Sequence, residues 1–379
     1  MASWATTEVS PFIFDGPLPP QAVIGRQQEA DVLRAWARAG RFVSLYGPRR
    51  YGKTSLIGKV AWDAGRDDEM PVIVVDLYGV LSFADLAVRL ERAYRDHAHG
   101  KLRPAVTAVF NSAQLGLSLA GGGLSLQFAR DPRPDPLPAL HALLDLPRAI
   151  QSRYQAGRVL VVFDEFQALL AVDGAEALVR SHIQHHRDVA SYVFAGSEPG
   201  LLAAVFTDRA RPFYGQVEPK RLGRLGDADL AAAIDDAFTA TQRSTGDMLP
   251  ALLATAEGHP QRAMLLAHCL WSATPEGTTA NDDTWAHALE EAMARTVRES
   301  ETLWRTLGPN EQRVLRAVVQ YGSPYRKDAL ASTGLAKGTA ADVVERLVAS
   351  GDLERDTERL RVVDPLLARW VETRFGDAG

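Results

Sequence analysis

Eight residues, Gly47-Pro48-Arg49-Arg50-Tyr51-Gly52-Lys53-Thr54, fit the pattern G-x-x-x-x-G-K-[ST], and the spelling describes a chemical task. The two glycines let the backbone turn tightly, so that successive N–H groups face one point where phosphate oxygens accept from them. A helix beginning near Lys53 adds the positive end of its dipole at the same point. Lys53 carries a full charge to the β- and γ-phosphates, and the Thr54 hydroxyl is placed to ligand Mg²⁺. Phe42-Val-Ser-Leu-Tyr46 before the loop reads as a strand, and Ser55 to Trp62 after it has helical spacing of its apolar residues. Strand, loop and helix agree, so Gly47, Pro48, Arg49, Arg50, Tyr51, Gly52, Lys53, Thr54 and Ser55 form the expected binding set for ATP.

A second constellation lies about 110 residues further on, a spacing that fits the acidic strand of a P-loop ATPase. Val159-Leu-Val-Val-Phe163 reads as a fully buried strand, and Asp164 and Glu165 stand where it emerges. Asp164 is the expected metal-shell ligand beside Thr54, and Glu165 the base that polarises the attacking water. Ser191-Tyr-Val-Phe-Ala-Gly-Ser197 is a further strand, expected beside the carboxylate strand, where Ser197 would sense the γ-phosphate; a plain strand-end turn is the alternative. Ile24-Gly25-Arg26 opens a helix and could present Arg26 to the nucleotide or to a neighbour. Gly258-His259-Pro260 breaks two helices; it could lay His259 and Pro260 against the base and aim Arg262 at the phosphates, or serve only as a helix stop and start.

The chain has 379 residues, enough for two or three cores. A net charge of −5, from 42 Lys+Arg against 47 Asp+Glu, argues mildly against a general nucleic-acid binder. The single cysteine, Cys269, sits in an apolar run, which excludes an intrachain disulfide framework and suits a reducing cytoplasm. No secretion signal or membrane-spanning run is read. His182, His185 and His186 fall on one predicted helix without further ligands, so a solvated helix face is expected there rather than a metal site.

Stepping along the elements, an α/β architecture is expected: a P-loop NTPase parallel sheet over 1–215, with a β-hairpin insertion at about 102–135 signalled by alternating segments around Ala120-Gly-Gly-Gly123. From Asp227 helical periodicity takes over, predicting a helical lid over 216–306 with helices at 227–242, 246–257, 260–272 and 280–306. Three further helices, at 309–320, 327–333 and 337–350, and a ribbon over 351–363 predict a C-terminal winged helix-turn-helix over 307–379. That module carries 11 Lys/Arg and 11 Asp/Glu, and its third helix has only Lys337 and Arg346 as basic residues, against Asp342 and Glu345. DNA affinity rests on phosphate neutralisation, so protein docking is the favoured reading and DNA contact the lesser one.

Ile24-Gly-Arg-Gln-Gln-Glu29, the loop Gly47 to Ser55, Val161-Val-Phe-Asp-Glu-Phe-Gln167, Phe194-Ala-Gly-Ser197, Pro212-Phe-Tyr-Gly215, Gly258-His-Pro260 and Asp364-Pro-Leu-Leu-Ala-Arg-Trp370 occur in this order. Together they resemble the archaeal-type ATPase family, a branch of the STAND group of AAA-like P-loop ATPases. The resemblance implies a nucleotide-dependent conformational switch that hydrolyses ATP slowly with Mg²⁺ and acts on a protein partner. It also implies a nucleotide-dependent oligomer as one arrangement, in which Arg49, Arg50 or Arg211 would serve a neighbouring site. Replication initiators and transposition regulators, which join the same core to a winged helix, supply the rival reading of a DNA-binding ATPase.

Overall fold

In the computed structural model, residues 9–97, 104, 106–107, 117–118, 125–126, 135–154, 158–356 and 359–376 are described. They divide into two compact units. One comprises Gln27–Gly47 and Lys53–Leu222; the other gathers the N-terminal segment up to Arg26, the loop Pro48–Gly52 and the chain from Gly223.

The first unit is a sheet with helices on both faces. In chain order it contains α1 (Gln27–Arg38), β1 (Phe42–Tyr46), α2 (Lys53–Asp67), β2 (Val72–Asp76), α3 (Phe83–His97), β3 (Leu117–Ser118) and β4 (Ser125–Leu126). These are followed by α4 (Leu137–Leu144), α5 (Leu146–Tyr154), β5 (Val159–Asp164), α6 (Ala175–Ile183), β6 (Ala190–Gly196), α7 (Pro199–Thr207) and β7 (Glu218–Arg221). Five strands make one all-parallel sheet of order β2-β5-β6-β1-β7. The apolar runs read from the sequence are the central strands, buried on both faces as parallel strands are. Phe163 and Val161 of β5 enter an aromatic core with Phe166, Tyr192, Phe194, Phe206 and Phe213. Leu160 and Val162, pointing the other way, pack with Leu33, Val43, Leu45 and Leu56 under α1 and α2.

The sheet extends past residue 215, the expected end of the core. Its last strand is β7, Glu-Pro-Lys-Arg, which lacks any apolar pattern because it pairs only with β1 at an edge. Of the expected insertion, β3 and β4 pair antiparallel, Leu117 with Leu126 and Ser118 with Ser125; most of it lies outside the described residues, as does the greater part of the proline-rich connector.

The expected solvated histidine face is corrected. His186 is buried, and its ring Nδ1 lies 2.7 Å from the Tyr192 hydroxyl. His182 donates from Nδ1 to Asp145 at 2.7 Å, and only His185 is exposed. The helix ends at Ile183, so the following turn tucks His186 under β6 instead of continuing the helical face.

The second unit holds α8 (Asp227–Ala240), α9 (Leu249–Ala256), α10 (Pro260–Ala273) and α11 (Asp282–Thr306), whose core includes Leu230, Ile234, Phe238, Leu252, Leu266, Cys269 and Leu270. Cys269 is fully buried, and burial pushes its thiol up to about 12, which removes it as a nucleophile. A winged helix-turn-helix follows: α12 (Pro309–Tyr321), α13 (Lys327–Thr333), α14 (Lys337–Ser350) and the ribbon β8 (Leu353–Arg355) with β9 (Leu360–Val362). The sequence left the last helix, α15 (Pro365–Phe375), unassigned. Leu367, Trp370 and Val371 of α15 pack with Val314, Leu315, Val343 and Leu347. Among the described residues no helix is long and apolar enough to cross a membrane.

Phe194 is fully buried, with its ring centroid 4.6 Å from Phe166 and 5.4 Å from Phe213. Phe194→Ala is expected to lower stability by about 3–5 kcal/mol, read as a lower urea midpoint at unchanged slope. A midpoint within error of the parent would show that this cluster does not carry the core.

Candidate nucleotide-binding site

The carboxyl ends of parallel strands are where an α/β sheet leaves room for a ligand. Here β1, β6 and β5 end side by side at Tyr46, Gly196 and Asp164. α2 starts at Lys53, so its unpaired N–H groups and dipole meet the same edge. Gly47 must be glycine: Leu222 donates its N–H to the Tyr46 carbonyl, and a Cβ on Gly47 would lie 2.6 Å from the Leu222 carbonyl oxygen. Gly52 has φ +83 with nothing within 4 Å of a Cβ position, so both its backbone and the space above it suit a loop that wraps phosphate.

Lys53 is buried and donates from Nζ to the Gly47 carbonyl at 2.8 Å. Thr54 Oγ1 donates to Asp164 Oδ2 at 3.3 Å, closing the 110-residue gap between the two motifs. Burial pushes the Asp164 carboxyl up and the Glu165 charge adds to this, while the Glu165 N–H, Lys53 and the Thr54 hydroxyl oppose it. Two hard oxygen donors beside a buried lysine fit Mg²⁺, which prefers few protein ligands and completes its shell with phosphate and water. Glu165 has φ 54 and ψ 44, and its Oε2 accepts from Ser197 Oγ at 2.9 Å and from the amide of Gln167. Sequence reasoning offered Ser197 as a phosphate sensor or a plain strand-end turn, and gave Gln167 no role although it closes the quoted motif Val161–Gln167.

Most of the remaining expected residues fall in the second unit; Ser55, on α2, and Arg211 belong to the first. Arg26 is buried and donates to the carbonyls of Tyr51, at 3.2 Å, and Gly223, at 2.6 Å. It therefore grips the loop's backbone. Ile24 packs against the helical core of this unit. Tyr51 is fully buried, its ring edge-on to His259 at 5.1 Å, and Arg50, in the left-handed region with φ 66, is ion-paired with Glu299. His259 caps α10 through Nδ1, which accepts from the Arg262 N–H at 3.3 Å, and Pro260 takes the first helical position. Aiming at the phosphates was one of two readings for Arg262, the other being an ordinary helix stop and start. Arg262 is instead wholly buried, donating from Nε to both Asp364 oxygens at 2.9 and 3.0 Å and from Nη2 to Glu299 at 3.1 Å. An adjacent carboxylate pair satisfies a buried guanidinium in a way no sequence spacing reveals. Arg211, a candidate for a neighbour's site, pairs with Glu176 at 3.0 Å.

No family model matches the chain, and no curated protein matches it. Solved structures do. The Walker-type ATPase PABY2304 of Pyrococcus abyssi superposes with TM-score 0.67 at 18% identity, covering 95% of this chain and 99% of that one. The ORC2 protein of Aeropyrum pernix, in ADPNP–ADP complexes, gives TM-score 0.57 at 16% identity over 95% and 96% of the two chains. Its ADP form gives 0.51 at 14%, over 95% of each. The likeness is one of fold: the chain shares with these structures a P-loop NTPase α/β fold, here followed by a C-terminal winged helix.

Burial holds the His259 imidazole down at about 3, so between that value and 6.5 the unfolded chain binds a proton that the folded chain does not. Stability therefore falls as pH falls through this window. His259→Asn, which keeps a capping acceptor, is expected to lose less stability than the parent between pH 7 and pH 5 in urea titrations. A parent–variant difference independent of pH would show that His259 is not buried neutral.

Proposed function

We propose that the protein binds ATP on the Gly47–Ser55 loop and hydrolyses it slowly, acting as a nucleotide-dependent switch on a protein partner. The observation that carries this reading is the meeting of Lys53, Thr54, Asp164, Glu165 and Ser197 at adjacent strand ends, with Thr54 and Asp164 hydrogen-bonded. The loop N–H groups and Lys53 bind and orient the phosphates, and Ser197 monitors the terminal one. Glu165 takes a proton from the water that attacks the γ-phosphorus, as the bond to the ADP oxygen breaks and inorganic phosphate leaves. A magnesium ion held by Thr54 and Asp164 would neutralise charge developing on the phosphate oxygens.

A protein target is favoured over DNA by the winged helix itself. Of the two basic residues on α14, Arg346 is ion-paired with Glu311 at 3.4 Å, and Glu345 is ion-paired with Arg355. A third helix whose charges are balanced within its own module offers little net charge to neutralise phosphates.

Lys53→Ala is expected to abolish ATP binding in equilibrium titration. Glu165→Gln should retain ATP while turnover falls by about 10²–10⁴-fold, the usual share of a positioned base. Undiminished turnover in Glu165→Gln would remove the base. Strong stimulation of wild-type turnover by duplex DNA, lost at higher salt and on changing Lys337 and Arg346, would replace the protein partner with DNA.

A further inference from the structure

Glu165 leaves β5 in the left-handed region, φ 54, which a non-glycine residue enters at a cost on the order of 1–3 kcal/mol. The reversal brings Gln167 beside it. Gln167 Nε2 donates to Glu165 Oε2, the same oxygen that accepts from Ser197 Oγ at 2.9 Å and from the Ser197 N–H at 3.4 Å. A carboxylate accepts only, so the amide has one orientation: Nε2 toward Glu165, Oε1 away. That Oε1 is buried and has no partner. It lies where a Cβ on residue 196 would overlap it, so the amide occupies space that only Gly196 leaves open. A buried acceptor left unpaired costs about 1–3 kcal/mol. An apolar side chain of the same length would fill this space without that cost, so stability does not account for the amide.

We propose that Gln167 is a positioning residue for the hydrolytic carboxylate. Its amide pins Glu165 Oε2, turning Oε1 toward the attacking water, and it keeps that hold when Ser197 swings its hydroxyl to the terminal phosphate. The proposal rests on the ATPase reading above, and it assigns Gln167 and Gly196 a place in that site which the motif residues alone do not.

The test is Gln167→Met, which keeps the volume and removes the donor, with Gly196→Ala as an independent variant that displaces an intact amide. Gln167→Met is expected to melt at the parent's temperature or above and to bind ATP within about twofold of it, while kcat falls about tenfold or more. Gly196→Ala should reproduce the kcat loss. Unchanged kcat in Gln167→Met would overturn the proposal, as would a kcat loss matched by lost ATP affinity and a lowered melting temperature, the signature of packing. Wild-type protein that binds ATP no better than Lys53→Ala would overturn the ATPase reading itself, and the proposal with it.

Discussion

Neighbouring parallel strands lie about 4.8 Å apart, and in this sheet that spacing sets the reach of every group at the site. β6 runs between β1 and β5, so Ser197 stands between the lysine-bearing loop and the acidic pair. The register is fixed by Phe163 opposite Phe194, which brings the two strand ends level and lets Ser197 reach Glu165 at 2.9 Å. A slip of one residue would exchange the two faces of β5, sending Phe163 out of the aromatic core and Leu160 into it. The packing that stabilises the sheet and the geometry of the site are thus one constraint.

The C-terminal unit is organised by buried charge. Arg262 satisfies its guanidinium on Asp364 and Glu299, and Asp364 also caps α15 by accepting from the Leu366 and Leu367 N–H groups. Hydrogen bonds from the guanidinium and those N–H groups hold the Asp364 carboxyl below its ordinary range despite its burial. Arg224 likewise pairs with Glu354 and donates to the carbonyls of Glu257, Val362 and Val363. Such pairs add little net stability against apolar replacements, but losing one partner leaves a desolvated charge. They favour a single arrangement of these helices, ribbon and last helix.

Sequence reasoning went furthest where one element carries its own signal. The loop, the apolar strands and the helices of the C-terminal unit and winged helix each announce themselves through local pattern and punctuation, and the helices at 327–333 and 337–350 coincide with α13 and α14. It failed where the signal is tertiary. β7 is a strand only because β1 offers it an edge, and Pro219 in it reads as a breaker. His186 looks like surface until a turn places it against Tyr192. Arg262 looks like a phosphate ligand until Asp364, about a hundred residues away, claims it. Gln167 closes a recognisable motif, but the reason for it comes from Gly196, on another strand.

Between Glu165 and Gln167 sits Phe166, and it explains how the chain sustains the unfavourable features on either side. A strained backbone at Glu165 and an unpaired oxygen at Gln167 each cost on the order of 1–3 kcal/mol. Phe166 is fully buried, with its ring against Phe163, Phe194, Phe206 and Phe213 at centroid distances of 5.8, 4.6, 6.0 and 5.4 Å. Burying such a ring contributes about 1.5–3 kcal/mol, and each aromatic pair adds about 0.5–1.5 kcal/mol, enough to offset both costs. The offset is local, so the turn that aims the carboxylate is held by the residue inside it. Four consecutive residues then divide the labour: Asp164 faces Thr54, Glu165 faces Ser197, Phe166 anchors the turn in the core, and Gln167 fixes the carboxylate from behind.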